Sequence, residues 1–381
     1  MEVNVKKSSV RTRGSVAAVS AGVVLLVAAV AIADSDLFSG ESELGRNSRY
    51  HWQFDEASDA FRQDISGAAV GRHGVTIVVD DGGKPSDFSF IRVLRSGLPD
   101  AEVDADGHIV GDDPSVNIPL ALDHQDMEGA TYTGRYFVVT SSLSASGGNS
   151  VDARNRLTRF KLRGRSNVLR QEETRSDLRG ALIDAIVGDI GGRFSVGYNF
   201  NAGGTSGGLN IEGLATLVDD DDNNSCRGRS HSSTLLWGLR SPLAYADPTD
   251  PTNQKLGWGA IVASIDDAWG DASIEVFDIL DLGDGQGIRG IEWVPALDAY
   301  IIIAGTLVKA SDYHLWLWAP DEALLVEITG EVENFAGLCR PEAVIQAESG
   351  SGDDALAILS EESGTACEFV DFNYIIKPID D

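Results

Sequence analysis

The clearest pattern along the chain is a short phrase of polar and apolar positions that recurs five times. A polar or small residue and an apolar residue precede a third, polar position, and a small residue and apolar residues follow it. The copies are Asp64–Ala68, Asp126–Ala130, Asn210–Leu214, Gly287–Ile291 and Arg340–Val344. Recurrence at unequal spacing predicts a repeat-built fold whose loops differ in length from one repeat to the next.

A short apolar run follows each phrase, bounded by Gly, Asp, Ser and Pro, as is typical of β-strands. These runs are Val75–Val79, Tyr136–Thr140, Thr234–Trp237, Tyr300–Ala304 and Ala355–Leu359. Two further stretches, Arg156–Leu162 and His314–Trp318, alternate in the manner of additional strands. Units of phrase, strand, turn and strand predict an all-β chain folded as a single β-propeller over residues 61–381.

The number of repeated units predicts a propeller of five to seven blades, with six favoured. Five copies of the phrase are visible, and a sixth blade would be closed by the N-terminal segment together with Glu368–Ile376. One stretch breaks the strand pattern, since Ser176–Val187 carries apolar residues at helical spacing. We expect it to be a single surface helix inserted between strands.

The first 33 residues have the features of an export signal. A basic stretch containing Lys6 and Arg13 precedes an apolar run, Val16–Ala33, which ends in a small-x-small pattern before Asp34. At about 18 residues the run is also long enough to span a bilayer, so an uncleaved membrane anchor is the alternative. Both interpretations place the body of the protein outside the cytoplasm, with residues 34–60 as an N-terminal extension.

The charge balance narrows the class of partner. The chain holds 59 Asp and Glu against 30 Lys and Arg, a formal net charge of −29. A charge of that sign repels nucleic acid and anionic membrane surfaces. We therefore expect a monomer whose partner is a polar small molecule or a protein, with membrane contact only through an uncleaved N-terminal segment.

The third position of the phrase supplies the candidate site. If the phrase opens the innermost strand of each blade, then Ser66, Glu128, Glu212, Arg289 and Glu342 lie at one height around the axis, with Asp126 and Asn210 beside them. Carboxylates brought that close raise one another's pKa or recruit a cation, and Arg289 can neutralise one of them. The ring is then a structural girdle of ion pairs, a ligand- or metal-binding ring, or a catalytic ring.

A second candidate is a calcium loop at 102–113. Glu102, Asp104, Asp106 and Asp113 occupy positions one, three, five and twelve, and Gly107 stands at position six. No helices flank the stretch, so a solvated acidic turn is the favoured interpretation. Calcium binding is the alternative, and calcium is then the candidate cofactor.

Three cysteines are present, and in an oxidising compartment two of them can pair. We expect Cys339 to pair with Cys367, because these two bracket one repeat, and Cys226 to remain free.

Several of these stretches together resemble one known family. The order Asp126-Met127-Glu128-Gly129, then Asn210-Ile211-Glu212-Gly213-Leu214, then Leu239-Arg240-Ser241-Pro242, then Gly287-Ile288-Arg289 is similar to domain-of-unknown-function family 3616, from about Ser66 to about Ile345. That resemblance implies a propeller-like fold and carries no established activity. More distantly, the Glu-Gly phrases are similar to those of phytase-like and esterase-like propellers, some of which hold calcium in an acidic channel mouth and hydrolyse phosphoesters there.

These observations leave three functional hypotheses. The first is an exported propeller that binds a polar ligand or partner at an acidic channel mouth, through Asp126, Glu128, Asn210, Glu212, Arg240, Arg289 and Glu342. The second is a metal-dependent hydrolase, a phosphoesterase in which Glu128, Glu212 and Glu342 hold the cation and Arg240 and Arg289 hold the anion. The third is a protein-interaction scaffold that uses the edges of the blades.

Overall fold

The computed structural model describes residues 38–39, 65–80, 90–94, 116–146, 149–150, 152–162, 168–190, 199–202, 208–218, 233–244, 257–306, 312–332, 335, 340–348, 354–360 and 372–376. The predicted signal segment, the predicted calcium ligands Glu102, Asp104, Asp106 and Asp113, and the predicted disulfide between Cys339 and Cys367 lie outside these residues. These three features therefore stay predictions.

Most of the described residues lie in β-strands. In chain order they are β1 (Phe38–Ser39), β2 (Ile65–Val70), β3 (Thr76–Asp80), β4 (Phe90–Leu94), β5 (Val116–Pro119), β6 (Met127–Tyr132), β7 (Phe137–Ser141), β8 (Ala145–Ser146), β9 (Asn149–Ser150), β10 (Leu157–Leu162), β11 (Leu169–Arg175), β12 (Asn210–Thr216), β13 (Leu235–Ala244), β14 (Gly259–Asp266), β15 (Ser273–Asp281), β16 (Gln286–Val294), β17 (Ala299–Thr306), β18 (Tyr313–Ala319), β19 (Leu324–Glu327), β20 (Pro341–Glu348), β21 (Asp354–Ser360) and β22 (Phe372–Ile376). Short 3₁₀ helices cover Arg72–Gly74, Asp152–Arg154 and Thr329–Glu331.

Twenty of these strands form five four-stranded antiparallel sheets, which are the blades of a β-propeller. From the inside outwards, blade 1 is β2-β3-β4-β5, blade 2 is β6-β7-β10-β11, blade 3 is β12-β13-β14-β15, blade 4 is β16-β17-β18-β19 and blade 5 is β20-β21-β22-β1. The small β8-β9 hairpin interrupts blade 2. Each innermost strand contacts the next one around the axis, and β20 contacts β2. The ring of inner strands therefore closes with five blades.

Five blades fall within the predicted range, and the favoured count of six is corrected. The segments expected to close a sixth blade instead complete the fifth, because β22 pairs with β21 and β1 pairs with β22. Residues from both ends of the described chain thus share one sheet, and the outermost strand of blade 5 comes from the predicted N-terminal extension.

The hydrophobic core lies between neighbouring blades. Each apolar run that follows a phrase forms the second strand of its blade, as the pattern predicted. Between blades 3 and 4, for example, Leu236 of β13 packs in one cluster with Ile288, Tyr300 and Trp318 of blade 4. Both faces of these strands are buried, which explains why they are apolar runs rather than alternating ones.

The predicted helix is present as α1, Leu178–Ile190. Leu178, Leu182 and Ile186 recur at helical spacing and are buried in the cluster that joins blades 2 and 3. Within the described part of the chain, no helix is long and apolar enough to cross a membrane.

Candidate functional site

The third residue of every phrase lies at a β-bulge. In each innermost strand the pairing with the second strand skips one residue, and the skipped residues are Ser66, Glu128, Glu212, Arg289 and Glu342. A bulge leaves its extra residue outside the ladder and turns its side chain away from the ordinary alternation. The repeated phrase therefore encodes one backbone irregularity five times.

The small residue after each bulge is required by the packing of neighbouring inner strands. A Cβ placed on Gly67 would lie 2.8 Å from the Cα of Gly129, and one on Gly129 would lie 2.8 Å from the Cβ of Leu214. A Cβ on Gly213 would lie 2.8 Å from Cγ2 of Ile291. The glycines let adjacent blades approach closely enough for the bulged side chains to converge.

The bulged side chains converge on the axis and are buried. Nη1 of Arg289 lies 2.9 Å from Oε2 of Glu212 in blade 3 and 2.8 Å from Oε1 of Glu342 in blade 5. The exposed fractions of these three residues are 6%, 2% and 5%. Glu128 belongs to blade 2, which does not adjoin blade 4, yet its charge also acts on Arg289. We name this set, Ser66, Glu128, Glu212, Arg289 and Glu342, the axial girdle.

The carboxylate of Glu212 is the most heavily hydrogen-bonded member of the girdle. Its Oε1 accepts from Nδ2 of Asn210 at 2.8 Å and from Nη1 of Arg240 at 2.6 Å, while Oε2 accepts from Arg289. Arg240 lies in the second strand of blade 3, where the backbone of Gly287 in blade 4 approaches its carbonyl so closely that a side chain at 287 would clash. The Glu212 carboxylate thus accepts three donors, two of them cationic, and so joins side chains of blades 3 and 4.

The electrostatics of Arg289 follow from its neighbours. Burial by itself lowers the pKa of Arg289, but the carboxylates of Glu212 and Glu342 outweigh it and raise the pKa above its ordinary value. The ring of Tyr313 lies beneath the guanidinium, 5.6 Å from Cζ to the ring centroid. Burial raises the pKa of Tyr313 to about 12, so its hydroxyl is protonated. The girdle thus has a permanently charged cation at its centre.

A second polar cluster lies at the end of the propeller where the inner strands begin, which we call the near end. Oδ2 of Asp126, just before β6, accepts hydrogen bonds from Ser142 and from Ser144 at 3.0 Å and lies 3.1 Å from Nη1 of Arg154. The side chains of Asp126 and Arg154 are 18% and 25% exposed, and that of Arg240 is 14% exposed. We call Asp126, Arg154 and Arg240 the near-end rim.

Blade 2 also buries a histidine at this end. Nδ1 of His124 lies 3.3 Å from Oγ of Ser141, and Nε2 lies 2.9 Å from Oγ1 of Thr158. Burial, with a smaller contribution from Arg156, lowers the pKa of His124 to about 3. The ring is therefore neutral, and it bridges β7 and β10 through Ser141 and Thr158.

The structure brings together most of the predicted site residues. Glu128, Glu212, Arg289 and Glu342 lie in the girdle, Asn210 and Arg240 bind it, and Asp126 anchors the neighbouring serine cluster. Sequence reasoning missed Tyr313 and Arg154, which lie in no phrase and carry no motif. Among the described residues, no group of three or more His, Cys, Asp or Glu side chains is arranged to hold a metal ion.

Comparison with known proteins gives fold-level likeness only. No protein-family model matches the chain, and no curated protein matches it. The resemblance to domain-of-unknown-function family 3616 thus stays a prediction.

Solved structures that the chain resembles share little sequence with it. A protein from Lactobacillus plantarum is 9% identical, with 83% of this chain and 72% of that chain covered and a TM-score of 0.30. A GH62 hydrolase in complex with xylotriose is 9% identical, with 86% of this chain and 95% of that chain covered and a TM-score of 0.39. A Trypanosoma rangeli sialidase is 10% identical, with 85% of this chain and 47% of that chain covered and a TM-score of 0.36. This chain therefore spans about half the length of that sialidase. Likeness at this level carries no inference about activity.

Proposed function

We propose that the protein is an exported binding propeller that holds a polar, hydroxyl-rich ligand on the near-end rim. The observation that carries this proposal is that Asp126, Arg154 and Arg240 are each fixed by buried partners and yet partly exposed to solvent. Pre-positioned polar groups that remain accessible are what a selective polar site requires. The rim combines a carboxylate acceptor with two guanidinium donors, which matches hydroxyl groups, since a hydroxyl both donates and accepts.

The geometry of the axial girdle fits a structural role, in which it closes the ring of inner strands, better than it fits metal-dependent hydrolysis. Arg289 stands between Glu212 and Glu342, so a divalent cation shared by these carboxylates would have to displace a buried guanidinium. Removal of one partner from a buried ion pair is costly, about 3–5 kcal/mol. The hydrolase is therefore the weaker candidate.

The scaffold hypothesis receives little support. Large apolar side chains that are exposed among the described residues are Leu122, Val168 and Val187, each about half exposed. Three such residues are ordinary for a folded protein, whereas an interaction site typically shows a contiguous apolar patch.

Thermal unfolding in the presence of neutral disaccharides tests the ligand site. We expect at least one disaccharide in a panel to raise the Tm of residues 34–381, because a ligand that binds only the folded state stabilises it. Asp126→Asn and Arg154→Gln should each abolish the rise, while Arg170→Gln, an exposed substitution outside the rim, should preserve it. If no disaccharide raises the Tm, or the rise survives both rim variants, the proposal is wrong.

Export is tested by the mass and location of the full-length protein after expression in a Gram-negative host. We expect either a periplasmic product that begins at Asp34 or an intact chain in the membrane fraction. An intact chain recovered from the cytoplasm would contradict export.

A further inference from the structure

A pocket of about 640 Å³ lies at the opposite end of the propeller, where the inner strands end. We call this end the far end. Its wall includes the turn between β6 and β7, the turn between β14 and β15, and the residue Arg72 just after β2. The volume is typical of sites for small molecules.

The wall is basic and aromatic, in contrast to the acidic chain around it. Arg72, Arg135 and Arg159 line it, and Asp267 is the one acidic residue among the described lining residues. The charge of Asp267 acts on Arg175. The whole chain has roughly two acidic residues for each basic residue, whereas basic residues outnumber acidic ones in the described lining of this pocket. A cavity with that excess of positive charge attracts anions.

Two of these guanidinium groups have no carboxylate partner among the residues that the structure describes. Arg159 is paired with Glu173 at 2.5 Å, but Arg72 and Arg135 form no ion pair and donate no side-chain hydrogen bond to any residue in the described part of the chain. Both are exposed. Guanidinium groups of this kind recognise carboxylates through paired N–H donors.

The aromatic part of the wall is held in place. The guanidinium of Arg159 lies between the rings of Tyr136 and Trp269, 4.8 Å and 4.7 Å from their centroids, and so joins blades 2 and 3. Arg135 and Lys161 also lie over the ring of Tyr136, at 5.3 Å and 4.6 Å. Of the three cations around this ring, Arg159 is already paired with Glu173, so Arg135 and Lys161 supply the positive charge that an anion would neutralise.

The backbone positions both Arg72 and Arg135. The turn that carries Arg135 is closed by a hydrogen bond from the backbone N–H of Thr133 to the carbonyl of Tyr136, at 2.9 Å. Gly71 packs against the ring of Phe137 so closely that any side chain would clash, and this contact brings Arg72 beside that turn. A site built on such turns requires little reorganisation when a ligand binds.

From this geometry we propose that the far-end pocket binds a ring compound that carries carboxylate groups, with Arg72 and Arg135 holding the carboxylates and the Tyr136–Trp269 wall packing against the ring. The site is separate from the near-end rim, and its test is independent of that proposal.

Isothermal titration calorimetry with two probes tests the site. The probes are terephthalate, a flat dicarboxylate, and digalacturonate, a sugar dicarboxylate, with terephthalamide and the dimethyl ester of digalacturonate as uncharged counterparts. We expect saturable one-to-one binding of at least one dicarboxylate, at least ten-fold tighter than its uncharged counterpart. The double variant Arg72→Gln/Arg135→Gln should weaken that binding at least ten-fold. The substitution Arg170→Gln, which removes one exposed positive charge outside the pocket lining, should leave it within two-fold.

If neither dicarboxylate binds saturably, the proposal is wrong. Equal affinity in the double variant would also overturn it, as would an equal loss in Arg170→Gln, since the latter would show that overall charge rather than the pocket is responsible.

Discussion

The two ends of the propeller use the same residue types in opposite ways. In the axial girdle, Arg289 is buried and bound to Glu212 and Glu342, so that the charges cancel inside the protein. In the far-end pocket, Arg72 and Arg135 are exposed and have no ion-pair partner among the described residues. Buried charges are tolerated only when they are paired, whereas exposed charges cost little and remain available to a ligand. We therefore expect stability to depend on the girdle and binding at the far end to depend on the pocket.

The largest effect is expected from Arg289→Gln. The substitution leaves the carboxylates of Glu212 and Glu342 buried without their shared cation, and we expect the free energy of unfolding to fall by about 3–5 kcal/mol. Urea denaturation measures this loss, with Arg170→Gln as an exposed control that should change stability by less than about 0.5 kcal/mol. A loss below about 1 kcal/mol at Arg289 would mean that the ion pairs are unimportant to the fold.

The next largest effect is expected from the buried side chain of His124, and it depends on pH. Because the pKa of His124 is about 3 in the folded protein and 6.5 ordinarily, the unfolded chain binds a proton below pH 6.5 that the folded protein does not bind. Stability from this residue is complete above pH 6.5 and decreases as the pH falls, by about 3 kcal/mol at pH 4.

The difference between wild type and His124→Gln isolates this contribution from the many carboxylates that titrate nearby. Urea denaturation between pH 4 and pH 7 should show a shallower decrease in the variant. An identical decrease in both proteins would show that His124 is protonated in the fold.

A smaller effect is expected where the inner strands approach each other. Gly129→Ala places a Cβ 2.8 Å from the Cβ of Leu214, and we expect a loss of about 1–3 kcal/mol. Gly180→Ala in α1 is the matched control, because its Cβ meets open space and should stabilise the helix by up to about 1 kcal/mol. Equal effects at the two glycines, measured by thermal unfolding, would contradict the close approach.

The smallest effect is expected at the pocket. Arg72→Gln and Arg135→Gln should each change the free energy of unfolding by less than about 0.5 kcal/mol, since both residues are exposed and neither has an ion-pair partner in the described part of the chain. A loss above about 1 kcal/mol in urea denaturation would show that these arginines are structural, and the contrast between the two ends would disappear.

The sequence predicted the girdle because a single backbone feature repeats. Each phrase contains a bulged residue and the small residue that the next blade requires, so Glu128, Glu212, Arg289 and Glu342 could be placed at one height without coordinates. The number of blades was harder to predict from the sequence, because β22 and β1 lie far apart along the chain and yet complete the same fifth sheet.

The pocket could not be predicted, because its wall joins turns of different blades. Arg72, Arg135 and Trp269 belong to turns of blades 1, 2 and 3, and none lies in the repeated phrase. Only the packing of blades against one another brings these residues together.

A double-mutant cycle across Arg289 and Glu342 tests whether the axial girdle is a coupled charge network. Their ion pair spans 2.8 Å between two blades, and urea denaturation of wild type, Arg289→Gln, Glu342→Gln and the double variant gives the coupling energy. We predict a coupling of about 1–3 kcal/mol, so that the double variant is more stable than the sum of the single losses implies. Losses that add within about 0.5 kcal/mol would mean that the girdle is not a coupled charge network, and the account of the axis would fail.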